Sequence, residues 1–121
     1  MSDLSLEMNE RQWTTIVRRY ARQGGWRAYH TRYSVGSDPG FPDFILIRKT
    51  PEGRSIGLAV ELKNEKNRLT ETQKEWLGMF HGASFEADVW RPDDVELVYK
   101  TLVTREFTWC PKLTGRFEWK K

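Results

Sequence analysis

A chain of 121 residues with no internal repeat and no low-complexity linker has room for one hydrophobic core, so a single domain is expected. Its formal net charge of +3 and isoelectric point near 9.1 suit an anionic partner without demanding one. Its single cysteine, Cys110, cannot close an internal disulfide, no apolar run is long enough to span a membrane, and Met1 to Glu7 lack the regions of a signal peptide, which together favour a reducing, intracellular and cytoplasmic setting.

The first element reads as a helix from about Asn9 to Gln23, because Trp13, Ile16, Val17, Tyr20 and Ala21 recur at helical spacing. Asn9 is its expected N-cap and Gly24-Gly25 its stop. Arg18, Arg19 and Arg22 fall opposite the apolar stripe, on a solvated face that can also meet phosphates. Glu10 lies beside the stripe. It is either a favourable partner of the helix dipole or an acid aimed beneath the edge of a sheet. Trp26 to Thr31 alternates like a short edge strand, in which His30 reads as a satisfied strand residue rather than a base. Tyr33 to Gly40 is rich in Ser, Gly, Asp and Pro and reads as a loop. It leads directly into Gly40-Phe41-Pro42-Asp43-Phe44, where Gly40 permits a sharp turn that aims Asp43 inward.

Phe44 to Ile47 and Ile56 to Lys63 read as two strands, and Pro51-Glu52-Gly53 between them supplies the turn of a hairpin. Alternation sends Leu58, Val60 and Leu62 to one face, taken as the core, and Ala59, Glu61 and Lys63 to the other. Asp43, Glu61 and Lys63 can then converge at one edge of a small sheet. A second helix opens at Leu69-Thr70 and runs to about Phe80, with Gly82 beyond it. Thr70 and Gln73 stand in capping-box spacing, while Gln73, Trp76, Leu77 and Phe80 share one face. Gln73 can thus be a cap, a reach into the site, or both. Phe85 to Trp90 reads as another strand. Pro92-Asp93 reads as a stop and a new N-cap, with Glu96 as its capping partner and Val95, Val98, Tyr99 and Leu102 on the buried side of a last helix. Helix, strands, helix, strand, helix predicts a mixed α/β sandwich.

Two carboxylates beside a lysine suit metal-assisted phosphodiester cleavage. Magnesium is held by one or two carboxylates, with waters and substrate phosphate completing its shell. A lysine alongside can orient the attacking water or offset charge developing on phosphoryl oxygens. A bare Pro-Asp followed by Glu-x-Lys is nevertheless a weak pattern, equally compatible with a strand start and an ion pair. His30, His81 and Cys110 show no zinc spacing.

The joined motifs are more specific. Gly25-Trp26, Tyr29-His30-Thr31, Gly40-Phe41-Pro42-Asp43, Glu61-Leu62-Lys63, Arg68-Leu69-Thr70, Gln73 and Val89-Trp90-Arg91-Pro92 together resemble a VRR-NUC domain. That family belongs to the PD-(D/E)XK superfamily, with the restriction-endonuclease-like fold. The resemblance covers about residues 9–102. It implies an αβββαβ core, with a small mixed sheet flanked by helices, and Mg²⁺- or Mn²⁺-dependent hydrolysis of DNA, often branched or flapped, in repair, recombination or phage replication. In that light Asp43 and Glu61 match the metal-binding acids, with the Leu62 carbonyl as a further ligand. Lys63 matches the catalytic lysine, Gln73 the glutamine of the following helix, and Glu10 the N-terminal acid. Lys66 and Arg68, together with Arg32 and Ser37 beside the preceding loop, are the candidate contacts to the DNA backbone. Small stand-alone members resemble junction-resolving homodimers.

Residues 1–103 would form this nuclease-like domain. Residues 104–121 fall outside the resemblance; Phe107/Trp109 and Phe117/Trp119 alternate like a hairpin whose aromatics cover a core edge or a dimer contact, or stack on single-stranded bases. Two other functions fit parts of the chain: a nucleic-acid-binding module that does not cleave, and a protein-interaction domain.

Overall fold

In a computed structural model that describes residues 8–31, 38–64 and 67–104, helix α1 (Glu10–Gln23) leads into strands β1 (Arg27–His30), β2 (Phe44–Lys49) and β3 (Ser55–Leu62). Helix α2 (Glu71–Gly82) and strand β4 (Glu86–Trp90) follow. A 3-10 turn at Pro92–Asp94 then enters α3 (Val95–Tyr99), which widens into a π turn over Lys100–Thr104. The αβββαβ order is as expected. The sheet order is β1-β2-β3-β4, antiparallel through the first three strands and parallel between β3 and β4. The hairpin turns at Thr50, which accepts from the Gly53 amide while its own N–H reaches the Arg54 carbonyl. Gly53 takes a positive φ of 90° there.

Central β3 is buried from Leu58 through Leu62. Leu58, Val60 and Leu62 pack with Trp13 and Val17 of α1, Phe44 and Leu46 of β2, Trp90, Val98 and Leu102. The opposite face is not left bare: Ala59 joins Leu77, Ala87 and Val89 in a second cluster. This corrects the assignment of one core face to β3. The β3-α2-β4 crossover lays α2 across the other side, as parallel pairing requires.

Two tryptophans fasten the beginning of the chain to its later elements. The Trp13 indole N–H donates to the Trp90 carbonyl at 3.0 Å, and that of Trp26 to the Leu102 carbonyl at 3.1 Å. A Cβ on Gly24 would stand 1.7 Å from that same Leu102 oxygen.

Three boundary expectations change. Gly82 lies inside α2 rather than beyond it, and the reversal falls to Ser84, at φ 78°. Asp93 is not an N-cap. Pro92 takes the first helical position, Arg91 caps, and the Asp94 carboxylate reaches back to the Arg91 amide at 2.8 Å, displacing Glu96 from the expected partnership. Tyr99 stays 41% exposed, its ring set edge-on to Tyr20 at 5.1 Å, while Thr101 is buried. The π turn advances the face that a regular helix would present. The proposed aromatic hairpin over 107–119 lies outside the described residues.

Candidate active site at the sheet edge

Phe44 pairs with Val60 across β2 and β3, so the next step brings Asp43 opposite Glu61. Both side chains then leave the sheet on the face covered by α2. Asp43 Oδ2 accepts the Leu62 amide at 2.8 Å, which fixes the carboxylate against the end of β3. A strand residue turns its N–H and C=O to the same edge, so the Leu62 carbonyl shares that edge. Upstream, the Thr31 amide donates to the Asp43 carbonyl at 2.9 Å, and the Thr31 hydroxyl to that of Pro42 at 2.9 Å.

The loop before Asp43 is held from the other side. Gly40, at φ 86°, lies so close to α2 that a Cβ there would stand 2.6 Å from the Thr72 carbonyl carbon. The Trp76 indole donates to the Pro39 carbonyl at 3.1 Å, and the Phe41 ring meets Trp76 and Phe80 edge-on. Gly40 therefore serves both the turn and the close approach to a helix.

Glu61 is 4% exposed. Its Oε2 accepts from Gln73 Nε2 at 3.0 Å. Gln73 also closes the capping box: its Oε1 accepts the Thr70 amide at 2.8 Å, while its own amide donates to the Thr70 hydroxyl. Gln73 thus closes the helix start with one end of its carboxamide and meets Glu61 with the other.

Glu61 Oε1 is buried without a hydrogen-bond donor from the described residues. Burial and then the Asp43 charge push the Glu61 carboxyl from 4.5 up to about 9, against the pull of Lys63. Burial also raises Asp43, although the Leu62 amide and a proton shared with Glu61 pull it back. Two carboxyls on facing strand positions cannot both ionise comfortably unless a cation joins them. Lys63 is 9% exposed and follows β3, its amide donating to the Trp90 carbonyl at 3.1 Å. Among the described residues no ion pair within 4.0 Å joins Lys63 to either acid.

Glu10 stands further back. Its charge reaches both Asp43 and Glu61, but its carboxylate accepts from Asn67 Nδ2 at 3.1 Å. No three His, Cys, Asp or Glu residues are gathered tightly enough for a metal cluster among the described residues. The centre is a carboxylate pair with an outlying third acid. Arg68 is exposed before α2, while Arg32, Ser37 and Lys66 lie outside the described residues.

Two supporting roles were not read from the sequence, although Arg91 stands within the Val89-Trp90-Arg91-Pro92 motif. Asn67 ties the loop after Lys63 to Glu10, and Arg91 Nη1 donates to the carbonyls of Asn64 and Asn67 at 2.6 and 2.7 Å. Asparagine is ordinary in loops, so Asn67 carries no signal. The Asn64-x-x-Asn67 spacing alone hints at the local turn in which Asn64 Oδ1 accepts the Asn67 amide.

A family model described as VRR-NUC domain matches residues 4–93. A solved structure titled "VRR_NUC domain protein" superposes with a TM-score of 0.59 at 21% identity, covering 80% of this chain and 89% of that one. At that identity the likeness is one of fold. No curated protein matches the chain.

Proposed function

This chain belongs to the VRR-NUC domain family, within the PD-(D/E)XK nuclease-like superfamily, and on that footing we propose that it is a metal-dependent endonuclease hydrolysing phosphodiester bonds of DNA. The preferred substrate in this reading is structured DNA, a junction or a flap, in repair, recombination or phage replication. The carrying observation is the pair of half-buried Asp43 and buried Glu61, each held in place by a hydrogen bond and each raised from its ordinary value, Glu61 to about 9. Such a pair weakens the fold and has no use in a module that only binds.

The donor set fits magnesium or manganese. Carboxylate and carbonyl oxygens are the hard ligands these ions take, and the undonated Glu61 Oε1 supplies a lone pair that protein hydrogen bonds leave open. Asp43, Glu61 and the Leu62 carbonyl would hold the ion, which when bound acidifies water and polarises a phosphoryl oxygen. Gln73 fixes the Glu61 rotamer. Lys63 is the group to orient the attacking water or offset charge on the phosphoryl oxygens. Glu10, joined to the loop after Lys63 through Asn67, adds negative potential from behind. No helix among the described residues is long and apolar enough to cross a membrane. A homodimer would suit a two-fold junction.

The test is a panel of labelled junctions, flaps, nicked and plain duplexes with Mg²⁺, Mn²⁺ or EDTA, alongside the mass in solution. Cleavage should require the ion and vanish in folded Asp43→Ala and Lys63→Ala variants. Paired symmetric cuts by a dimer support junction resolution, and equal cutting of every duplex removes that preference. Salt-sensitive binding without any cleavage would replace the nuclease reading with that of a binding module.

A further inference from the structure

A cavity of about 350 Å³ opens between α1 and β1, walled by Arg11, Thr14, Thr15, Arg18 and His30. Positions 11, 14, 15 and 18 recur at i, i+3, i+4 and i+7, so four of its walls are one face of a single helix. His30, the last residue of β1, closes the other side. The cavity lies on the α1 side of the sheet, the face opposite the one that Asp43 and Glu61 leave, but near the same end of β2: the His30 ring stacks on Phe44 at 4.6 Å, and the next residue, Thr31, is bonded to Asp43.

Its chemistry is that of an oxyanion site. The Thr14 and Thr15 hydroxyls are engaged with the Glu10 and Arg11 carbonyls, which leaves Arg11 and Arg18 as the cationic donors. Arg18 is half-buried and oriented, its Nη2 lying 2.8 Å from His30 Nδ1. An imidazole nitrogen accepting there fixes one edge of the guanidinium and leaves its remaining N–H groups for another acceptor. Glu10, four residues before Thr14 on the same helix, has its carboxylate drawn towards Asn67. Arg11 and Arg18 stand about 10 Å apart along the axis, at ~1.5 Å per residue. That spans roughly three nucleotides of a stacked strand at ~3.4 Å each. The volume exceeds what a lone inorganic ion needs and lies at the lower end of ligand pockets.

We infer that this cleft is a positioning site for non-reacting backbone phosphates of the nucleic-acid strand cut at the neighbouring carboxylates, with Arg11 and Arg18 as the phosphate-binding residues. The inference rests on the nuclease reading and adds to it where the uncut part of the substrate lies. It assigns Arg11 and Arg18 of α1 to substrate, where amphipathicity alone left solvent and phosphate both open. Contacts of this kind fix register and carry no base information, so sequence preference should not depend on them.

The test compares Arg11→Gln/Arg18→Gln with Lys49→Gln/Arg54→Gln, which removes the same charge from the hairpin end of the sheet. Duplex and junction binding is measured in EDTA across a salt series, and cleavage is measured in Mg²⁺. The cleft variant should lower the salt slope by about 1 to 2, roughly one unit for every phosphate that is no longer neutralised. Its KM should rise about tenfold with kcat nearly unchanged, as expected when uniform binding is removed. The hairpin variant should resemble wild type. Equal salt slopes for the two variants, or a fall in kcat with KM unchanged, overturn the inference while cleavage by wild type leaves the nuclease reading intact. A wild-type protein that neither binds nor cuts DNA removes both. Should loss of the His30 hydrogen bond unfold the double variant, Arg11→Gln alone, on the exposed side of the cleft, is expected to shift the slope by about half as much, and an unchanged slope there also overturns the inference.

Discussion

Replacing Glu61 by glutamine should stabilise the metal-free protein, and the gain should grow with pH. The carboxyl has a pKa of 4.5 when exposed and about 9 when folded. A group raised on folding contributes its full stability below 4.5 and loses it as pH climbs towards 9. Between those limits the folded protein keeps a proton that the unfolded chain releases, at a cost of about 1.4 kcal/mol per pH unit. At pH 7 the interval above 4.5 therefore corresponds to about 3 kcal/mol, set by the working pH as long as the folded pKa lies well above it. Glutamine has nearly the same shape, can accept from Gln73 and donate to Asp43, and titrates nowhere. Urea unfolding in EDTA at constant ionic strength should show wild type and Glu61→Gln nearly equal near pH 5 and about 3 kcal/mol apart near pH 7. Adding Mg²⁺ should raise wild-type stability at pH 7 and leave the variant almost unmoved, because bound metal counts only where its ligands remain. A stability gap that does not change with pH would refute the account of Glu61 as a buried carboxyl waiting for a cation.

Gly40→Ala should cost about 1–3 kcal/mol in denaturant unfolding and reduce cleavage more than binding, since a left-handed residue and the close approach to Thr72 are both compromised beside Asp43; a neutral result removes Gly40 from the site's support. Gln73→Ala should lose about 1–2 kcal/mol by opening the α2 capping box, and kcat should fall as Glu61 is released. Gln73→Asn, too short to reach both partners, should behave alike. Trp13→Phe removes one of the two donors to the Trp90 carbonyl, which keeps the Lys63 amide, and should cost about 0.5–1.5 kcal/mol by thermal or urea unfolding, with activity per folded molecule retained.

Much of this architecture is written in short-range patterns. The α1 stripe, the β2–β3 hairpin and the Thr70-x-x-Gln73 cap depend on neighbours within one turn or one strand, and each stands where the periodicity places it. The carboxylate pair was legible for the same reason: strand alternation puts Glu61 on a fixed face, and hairpin register carries Asp43 to it. Contacts between distant segments were not legible. Arg18 looked like solvent-facing charge because its partner, His30, lies twelve residues away on a strand. The Phe41, Trp76, Phe80 and Phe85 rings come from three separate stretches, so no window contains them. The second covered face of β3 did leave a trace. Leu58 to Leu62 is a nearly unbroken buried run, the habit of strands sandwiched on both sides, and alternation alone hides it.

The two indole bonds from Trp13 and Trp26 span 77 and 76 residues. They bear on the order in which the chain can organise. The acceptors for the opening helix are made only once Trp90 and Leu102 have been synthesised, so α1 has no completed packing surface while the nascent chain is shorter than that. Local pieces such as the hairpin and the α2 cap can flicker into shape early, but the decisive closures are long-range and slow to find. Packing of α1 against its partners thus comes late in synthesis. A ribosome that stalls before residue 102 would release a chain whose first helix still seeks its partners, a ready target for chaperones and proteases.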